Sequence, residues 1–148
     1  MRVQRVLMPG SGEESRTLLG DDHVPVEPAE RFLSYLAAAG KSPNTVKAYA
    51  HDLKDWFTYL ACCDRDWQAA RLEDVAGFAA WLRLPPAARG GKVTVLPAVK
   101  HYCTAASVNR KLAALVSFLR VPRPPRSAAG GAAGHHAASR APRGSDIL

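Results

Sequence analysis

Two groups of polar and basic residues have the types and spacing to do chemistry. Asn44, Lys47, His51 and Lys54 are three, four and three residues apart, which places them on one face of a helix. Asn109, Arg110 and Lys111 are consecutive and are expected in the first turn of a later helix, where cations oppose the helix dipole and gain from an anionic partner. Lysines so placed neutralise phosphates, and arginine makes two-pronged contacts to phosphate or guanine. Asn44 and Thr45, near a helix N-terminus, can donate hydrogen bonds to phosphate oxygens. Arg89, Lys92 and Lys100 flank this set in a Gly-bounded stretch, within reach of adjoining phosphates. The common chemistry is binding of a polyanion. The plain alternatives are a solvated helix face for the first group and a structural cap for Asn109.

The charge distribution agrees with that chemistry. The chain has 148 residues and a net charge of +7. After Asp74 no acidic residue occurs until Asp146, while eleven Lys or Arg lie between them. Charge alone separates nucleic acid from an acidic protein only weakly. The length accommodates one domain and one modest core. Three cysteines, two of them adjacent at Cys62 and Cys63, give no disulfide framework and suit a reducing compartment. Cys62, Cys63, His101 and Cys103 lack the paired spacing of a zinc site, so no metal or cofactor is expected. The first twenty residues are too polar for a signal peptide, and no apolar run approaches the roughly 20 residues of a membrane span. A soluble, cytoplasmic protein is the expectation.

Four helical segments must position the basic groups. The first begins near Pro28, carries Phe32, Leu33 and Leu36, and stops at Gly40. The second is capped by Ser42, with Pro43 at its first position, and bears an apolar stripe of Val46, Tyr49, Leu53, Trp56, Phe57 and Leu60. The third runs from Leu72 to Leu82 with Leu72, Val75, Phe78, Ala79 and Leu82 inward, ended by Pro85-Pro86. The fourth follows a Ser107 cap, with Val108, Leu112, Leu115, Val116 and Leu119 inward, and ends at Pro122. Residues 88–106 read as a long ordered loop, with a short hairpin as the alternative. The Ala, Gly, Pro and Arg-rich end has too few large apolar side chains to offset chain entropy. The fold class is therefore all-α, a small four-helix bundle over residues 27–121, with residues 1–26 and 122–148 expected to be disordered.

These segments resemble a known family. KSPNTVKAYAHDLKDWFTYL, LEDVAGFAAWLR and SVNRKLAALVSFLR, in that order and spacing, look like the N-terminal SAM-like, or core-binding, domain of the tyrosine recombinases (phage integrases). The carrying residues are Ser42, Pro43, Thr45, Tyr49, Asp52 and Leu53, and then Asn109, Arg110, Leu112, Ala113 and Leu115. The resemblance implies a helical clamp on double-stranded DNA at a recombination or attachment site, with DNA integration and recombination as the setting. It also implies a separate C-terminal domain for strand exchange, and the chain has no counterpart of that domain's Arg, Lys, His and Tyr constellation. Tyr49, Tyr59 and Tyr102 fall within the core-binding region, and His136 with Arg140 does not match the family's His-x-x-Arg. A non-enzymatic, truncated recombinase is the expectation, and the change of composition near Leu119 suggests a shifted reading frame. The competing expectations are a protein-interaction module that binds or inhibits an intact recombinase, and a nonfunctional remnant.

Overall fold

The computed structural model describes residues 1–89 and 103–122. It begins with a hairpin of β1 (Arg2–Leu7) and β2 (Glu14–Leu19), followed by α1 (Glu27–Ala38), α2 (Pro43–Cys62), α3 (Leu72–Leu82) and α4 (Ala105–Arg120). Single 3-10 turns at Trp67–Ala69 and Pro86–Ala88 follow α2 and α3. The expected residues 122–148 tail, Lys92 and Lys100 lie outside the described residues, apart from Pro122 itself.

Local chemistry sets the helix ends. Gly40 adopts φ +78° and, with Lys41, returns amide hydrogen bonds to Ala37 and Leu36, both at 3.0 Å; a residue without a Cβ suits that left-handed helix stop. Ser42 then accepts the Thr45 amide at 3.2 Å, and Pro43 occupies the first turn of α2. At α3 the Arg71 amide donates to the Asp74 carboxylate at 2.8 Å, closing the first turn. The fourth helix starts earlier than the sequence suggests. Thr104, not Ser107, is the cap, and its hydroxyl accepts the Ser107 amide at 3.2 Å.

The core lies between α2 and its neighbours. Val46, Leu53, Trp56 and Leu60 of α2 are buried, as are Phe32, Leu33 and Leu36 of α1, Phe78 and Leu82 of α3, and Val108, Leu115 and Phe118 of α4. Aromatic edges join these elements: Phe118 meets Phe32 at 5.5 Å and Phe57 at 5.8 Å, and Trp56 meets Phe78 at 5.2 Å between centroids. Trp56 is thus core packing, and Trp67 and Trp81 pack half-buried against it. Two residues expected inside are not. Leu72 is 80% exposed and Val116 42%, because a 3.6-residue repeat puts Leu72 about 120° from Phe78 and Val116 about 160° from Phe118 around their helices.

The largest correction concerns residues 1–26, which are ordered rather than disordered, so the fold is mainly helical but not all-α. β1 and β2 pair antiparallel, with Arg2 opposite Leu19 and Leu7 opposite Glu14. β2 packs on both α1 and α2, with Leu18 fully buried in the common core and Thr17 buried beside it. The Thr17 hydroxyl donates to Glu30 of α1, and the Val26 amide returns to the Leu18 carbonyl at 2.8 Å. The segment lacks strand alternation because its two half-buried valines, Val3 and Val6, are three residues apart and face opposite sides.

Gly77 has a packing reason. A Cβ there would stand 2.2 Å from the Tyr59 hydroxyl and 3.3 Å from its ring carbon Cζ. Alanine favours a helix by about 1 kcal/mol over glycine, yet Gly77→Ala is expected to destabilise the domain by about 1–3 kcal/mol through overpacking against the buried ring. In a Tyr59→Phe background the penalty should shrink, because the nearest atom is gone. Urea denaturation of the four variants checks this, and a stabilising Gly77→Ala would refute the contact.

Candidate nucleic-acid interface

The N-terminal half of α2 runs beside α4 and leaves a groove of about 430 Å³, lined by Asn44, Thr45, Ala48, Tyr49 and Asp52 from α2 and by Arg110, Ala113 and Ala114 from α4. Alanines at Ala48, Ala113 and Ala114 keep both walls low. Ser42 and Thr45 share a hydroxyl contact of 2.9 Å at the groove's upper end, so the capped N-terminus of α2 stands at its mouth.

An ionic cluster closes the other end. Asp52 is buried, with its side chain 4% exposed, and it accepts two hydrogen bonds from Arg110, Nη1 to Oδ2 at 2.8 Å and Nη2 to Oδ1 at 3.0 Å. Lys111 adds a third at 3.0 Å to Asp52 Oδ1 and reaches Asp55 Oδ2 at 2.7 Å. This is a fork-to-fork arginine–carboxylate pair with a lysine filling the remaining acceptors. Burial pulls the Lys111 ammonium down, but its hydrogen bonds and charge attraction to Asp55 and Asp52 together prevail and hold its pKa above the ordinary lysine value.

The sequence-selected residues therefore divide. Asn44, Lys47 and His51 are exposed and Lys54 half-buried along α2; Lys47 and Lys54 have no carboxylate partner among the described residues. His51 feels both lysines: burial first, then the charges of Lys54 and Lys47, lower its pKa below the usual histidine value. Asn109 is exposed on the second turn of α4 rather than capping it. Arg110 and Lys111 also lie beyond the first turn, so the dipole conflict expected from sequence gives way to the pairing with Asp52 and Asp55. Arg110 stays 55% exposed on its outer side, whereas Lys111 is 12% exposed and committed inward. Arg89, at the start of the Gly-bounded stretch, is engaged structurally. It donates to the Leu82 and Leu84 carbonyls at 2.7 and 2.9 Å and lies over the Trp81 ring at 4.8 Å, which closes the C-terminal end of α3. The residues missed by sequence reasoning are Asp52 and Asp55 as anchors of the basic group, 58 and 56 residues distant in the chain. The available signal was the unmatched pair of acids on an otherwise basic helix.

Residues 29–122 match the phage integrase N-terminal SAM-like domain. The chain belongs to the phage integrase family. Transposase A from transposon Tn554 of Staphylococcus aureus, strains Mu50 and N315, is 33% identical over 119 residues, covering 80% of this chain and 32% of the transposase. The chain thus spans about a third of the length of these curated relatives. No solved structure matches it significantly. In this integrase-family domain the motif residues Asp52 and Arg110 bind each other and so join α2 to α4. No helix among the described residues is long and apolar enough to cross a membrane.

Two alkaline-labile groups follow from this geometry. Tyr59 is pushed up to about 12 by burial and by its hydrogen bond with the Cys63 thiol, and Lys111 is raised as above. A group whose folded pKa exceeds its unfolded value contributes stability that is complete below the unfolded pKa, near 10 for both residue types, and is lost as pH rises through the folded value. Stability should therefore fall between about pH 10 and 12, and Lys111→Met and Tyr59→Phe should each flatten that fall in pH-dependent urea titrations. Asp52→Ala should cost about 1.5–3 kcal/mol at neutral pH, since it removes both carboxylate bonds of Arg110 and one of the two held by Lys111, which keeps Asp55.

Proposed function

We propose that this domain binds double-stranded DNA at recombination sites, laying the α2 face of Asn44, Lys47, His51 and Lys54 and the adjoining α2–α4 groove along the duplex. The observation that carries the reading is electrostatic. Among the described residues, Lys47 and Lys54 stand without carboxylate partners on a face whose neighbouring acids, Asp52 and Asp55, are already consumed by Arg110 and Lys111. That leaves a positive strip next to a capped helix N-terminus, an arrangement suited to phosphate oxygens. The outer edge of Arg110 and the amide of Asn44 supply hydrogen-bond donors for base edges or phosphates in the groove. Membership of the integrase family and the likeness to a transposase support DNA as the polyanion.

The same reading assigns these 148 residues recognition without strand cleavage. A tyrosine nucleophile needs an activated, accessible hydroxyl. Of the described tyrosines, Tyr59 is buried and shifted the opposite way, Tyr49 is half-buried with its ring edge against Phe32 at 5.7 Å, and Tyr35, though 57% exposed, makes no hydrogen bond to an activating base among the described residues. Incubation with a nicked recombination-site substrate should yield no covalent protein–DNA adduct on denaturing gels; an adduct would overturn this assignment.

Lys47→Glu with Lys54→Glu is the cleanest test of the interface, because both side chains lie outside the ion-pair cluster and their reversal should spare the fold. Gel-shift titration at two salt concentrations should show binding that weakens steeply with salt in the parent, as released counterions require, and a loss of at least tenfold in the double variant. Unchanged retention would remove the interface. Co-purification with a full-length recombinase after nuclease treatment would instead favour the protein-interaction reading.

His51 reports on the same surface. Lys47 and Lys54 disfavour its protonation, and a bound phosphate would reverse that field. Its pKa, followed by NMR, should rise when duplex is added, and DNA affinity should increase as pH falls through the bound-state value. An unmoved His51 resonance would place the DNA elsewhere.

A further inference from the structure

Beyond the α2–α4 groove a second groove continues in the direction of the α2 N-terminus and the α4 C-terminus. It has a volume of about 440 Å³ and is lined by Phe32, Tyr35, Lys41, Tyr49, Arg120 and Val121 among others. The two grooves share Tyr49, so they form one trough along antiparallel helices, with Asp52 and Arg110 at one end and Lys41 and Arg120 at the other.

The lining of the second groove has a definite chemistry. Among the described residues, no acidic side chain contributes to it. Lys41 and Arg120 are exposed and have no carboxylate partner among the described residues. The floor is aromatic and held in place: Phe32 supports Tyr35 at 6.4 Å and Tyr49 at 5.7 Å between centroids, while Tyr35 remains 57% exposed. Two unpaired cations at the rims of an apolar floor that carries phenol hydroxyls match a sugar–phosphate strand, whose sugars lie on apolar surface and whose phosphates take cations and hydroxyl donors. The end of α4 alone accounts for one cation, as compensation of the helix dipole by Arg120. It does not account for Lys41, which comes from the α1–α2 connection.

We propose that Lys41, Arg120 and Tyr35 form a second backbone subsite for duplex DNA, continuous through Tyr49 with the groove at Asn44 and Arg110, so that the bound duplex extends past the N-terminus of α2. The inference rests on the DNA-binding reading above, and the test separates the two.

The full 148-residue chain would be titrated by fluorescence anisotropy with a mixed-sequence duplex of about 30 base pairs, some three helical turns, across a series of salt concentrations. Lys41→Ala with Arg120→Ala should reduce the magnitude of the slope of log K against log salt by about two, since each phosphate contact contributes about 0.9. Tyr35→Ala should weaken binding with the slope unchanged. Arg83→Ala, which removes an exposed cation at the end of α3 that lines neither groove, should leave both quantities as in the parent. Circular dichroism melts verify that each variant is folded. If the Lys41/Arg120 variant keeps the parental slope while Lys47→Glu with Lys54→Glu abolishes binding, the second subsite is refuted and the DNA-binding reading stands. If neither double variant changes binding, both fail. If Arg83→Ala lowers the slope as much per charge as the Lys41/Arg120 pair, overall charge rather than a subsite explains the effect and the proposal is overturned.

Discussion

The buried carboxylate of Asp52 is the constraint around which the basic surface is arranged. A carboxylate excluded from water is tolerated only when its acceptors are filled, and here Arg110 and Lys111 fill them from a helix that begins more than forty residues later. The requirement fixes the rotation of α4 about its axis relative to α2. With that rotation set, Val108, Leu115 and Phe118 face the core, and the small side chains of Ala113 and Ala114 fall opposite Ala48 to leave a groove instead of a filled contact. One ionic interaction therefore decides both the packing of the bundle and the shape of the surface beside it.

The same interaction sorts the cations by task. Arg110 is divided, with its paired edge inward and its other side exposed, while Lys111 is almost wholly structural. Lys47 and Lys54 keep their charge available because the acids of their own helix are spoken for. A residue count that treats every Lys and Arg as equal overstates the positive face at α4 and understates its concentration on α2.

The sequence made the helical part of the fold legible where short-range chemistry decides it. Ser42-Pro43 fixed the start of α2, Gly40 the end of α1, and the spacing of Val46, Leu53, Trp56 and Leu60 the buried face. Thr104 was passed over for Ser107 because both hydroxyl residues precede an apolar repeat and only the backbone trace shows which accepts the free amide. The hairpin was hidden for a different reason. Its order comes from Leu18 reaching a core built by residues much later in the chain, and its valines do not alternate. At the candidate site, the α2 face could be read from spacing alone, whereas the roles of Arg110 and Lys111 could not, since their partners are brought close only by the folded bundle. The resemblance to the integrase domain pointed to the correct pair of motifs without revealing that they meet.

The hairpin brings an obligation of its own. The chain at Val24–Val26 folds back along the end of β2, with Pro25 bridging Leu19, but among the described residues β1 pairs on one side only. Its outer backbone amides and carbonyls form a short open edge, the kind of surface on which a second chain can continue a sheet. Arg2 and Arg5 punctuate that strand, and Arg5 stands directly across from Arg16 with the Glu14 carboxylate bridging the two cations, at 2.7 Å from one and 4.0 Å from the other. Two identical edges approaching each other would bring Arg2 and Arg5 of both molecules close, a placement of charge that disfavours edge-to-edge joining.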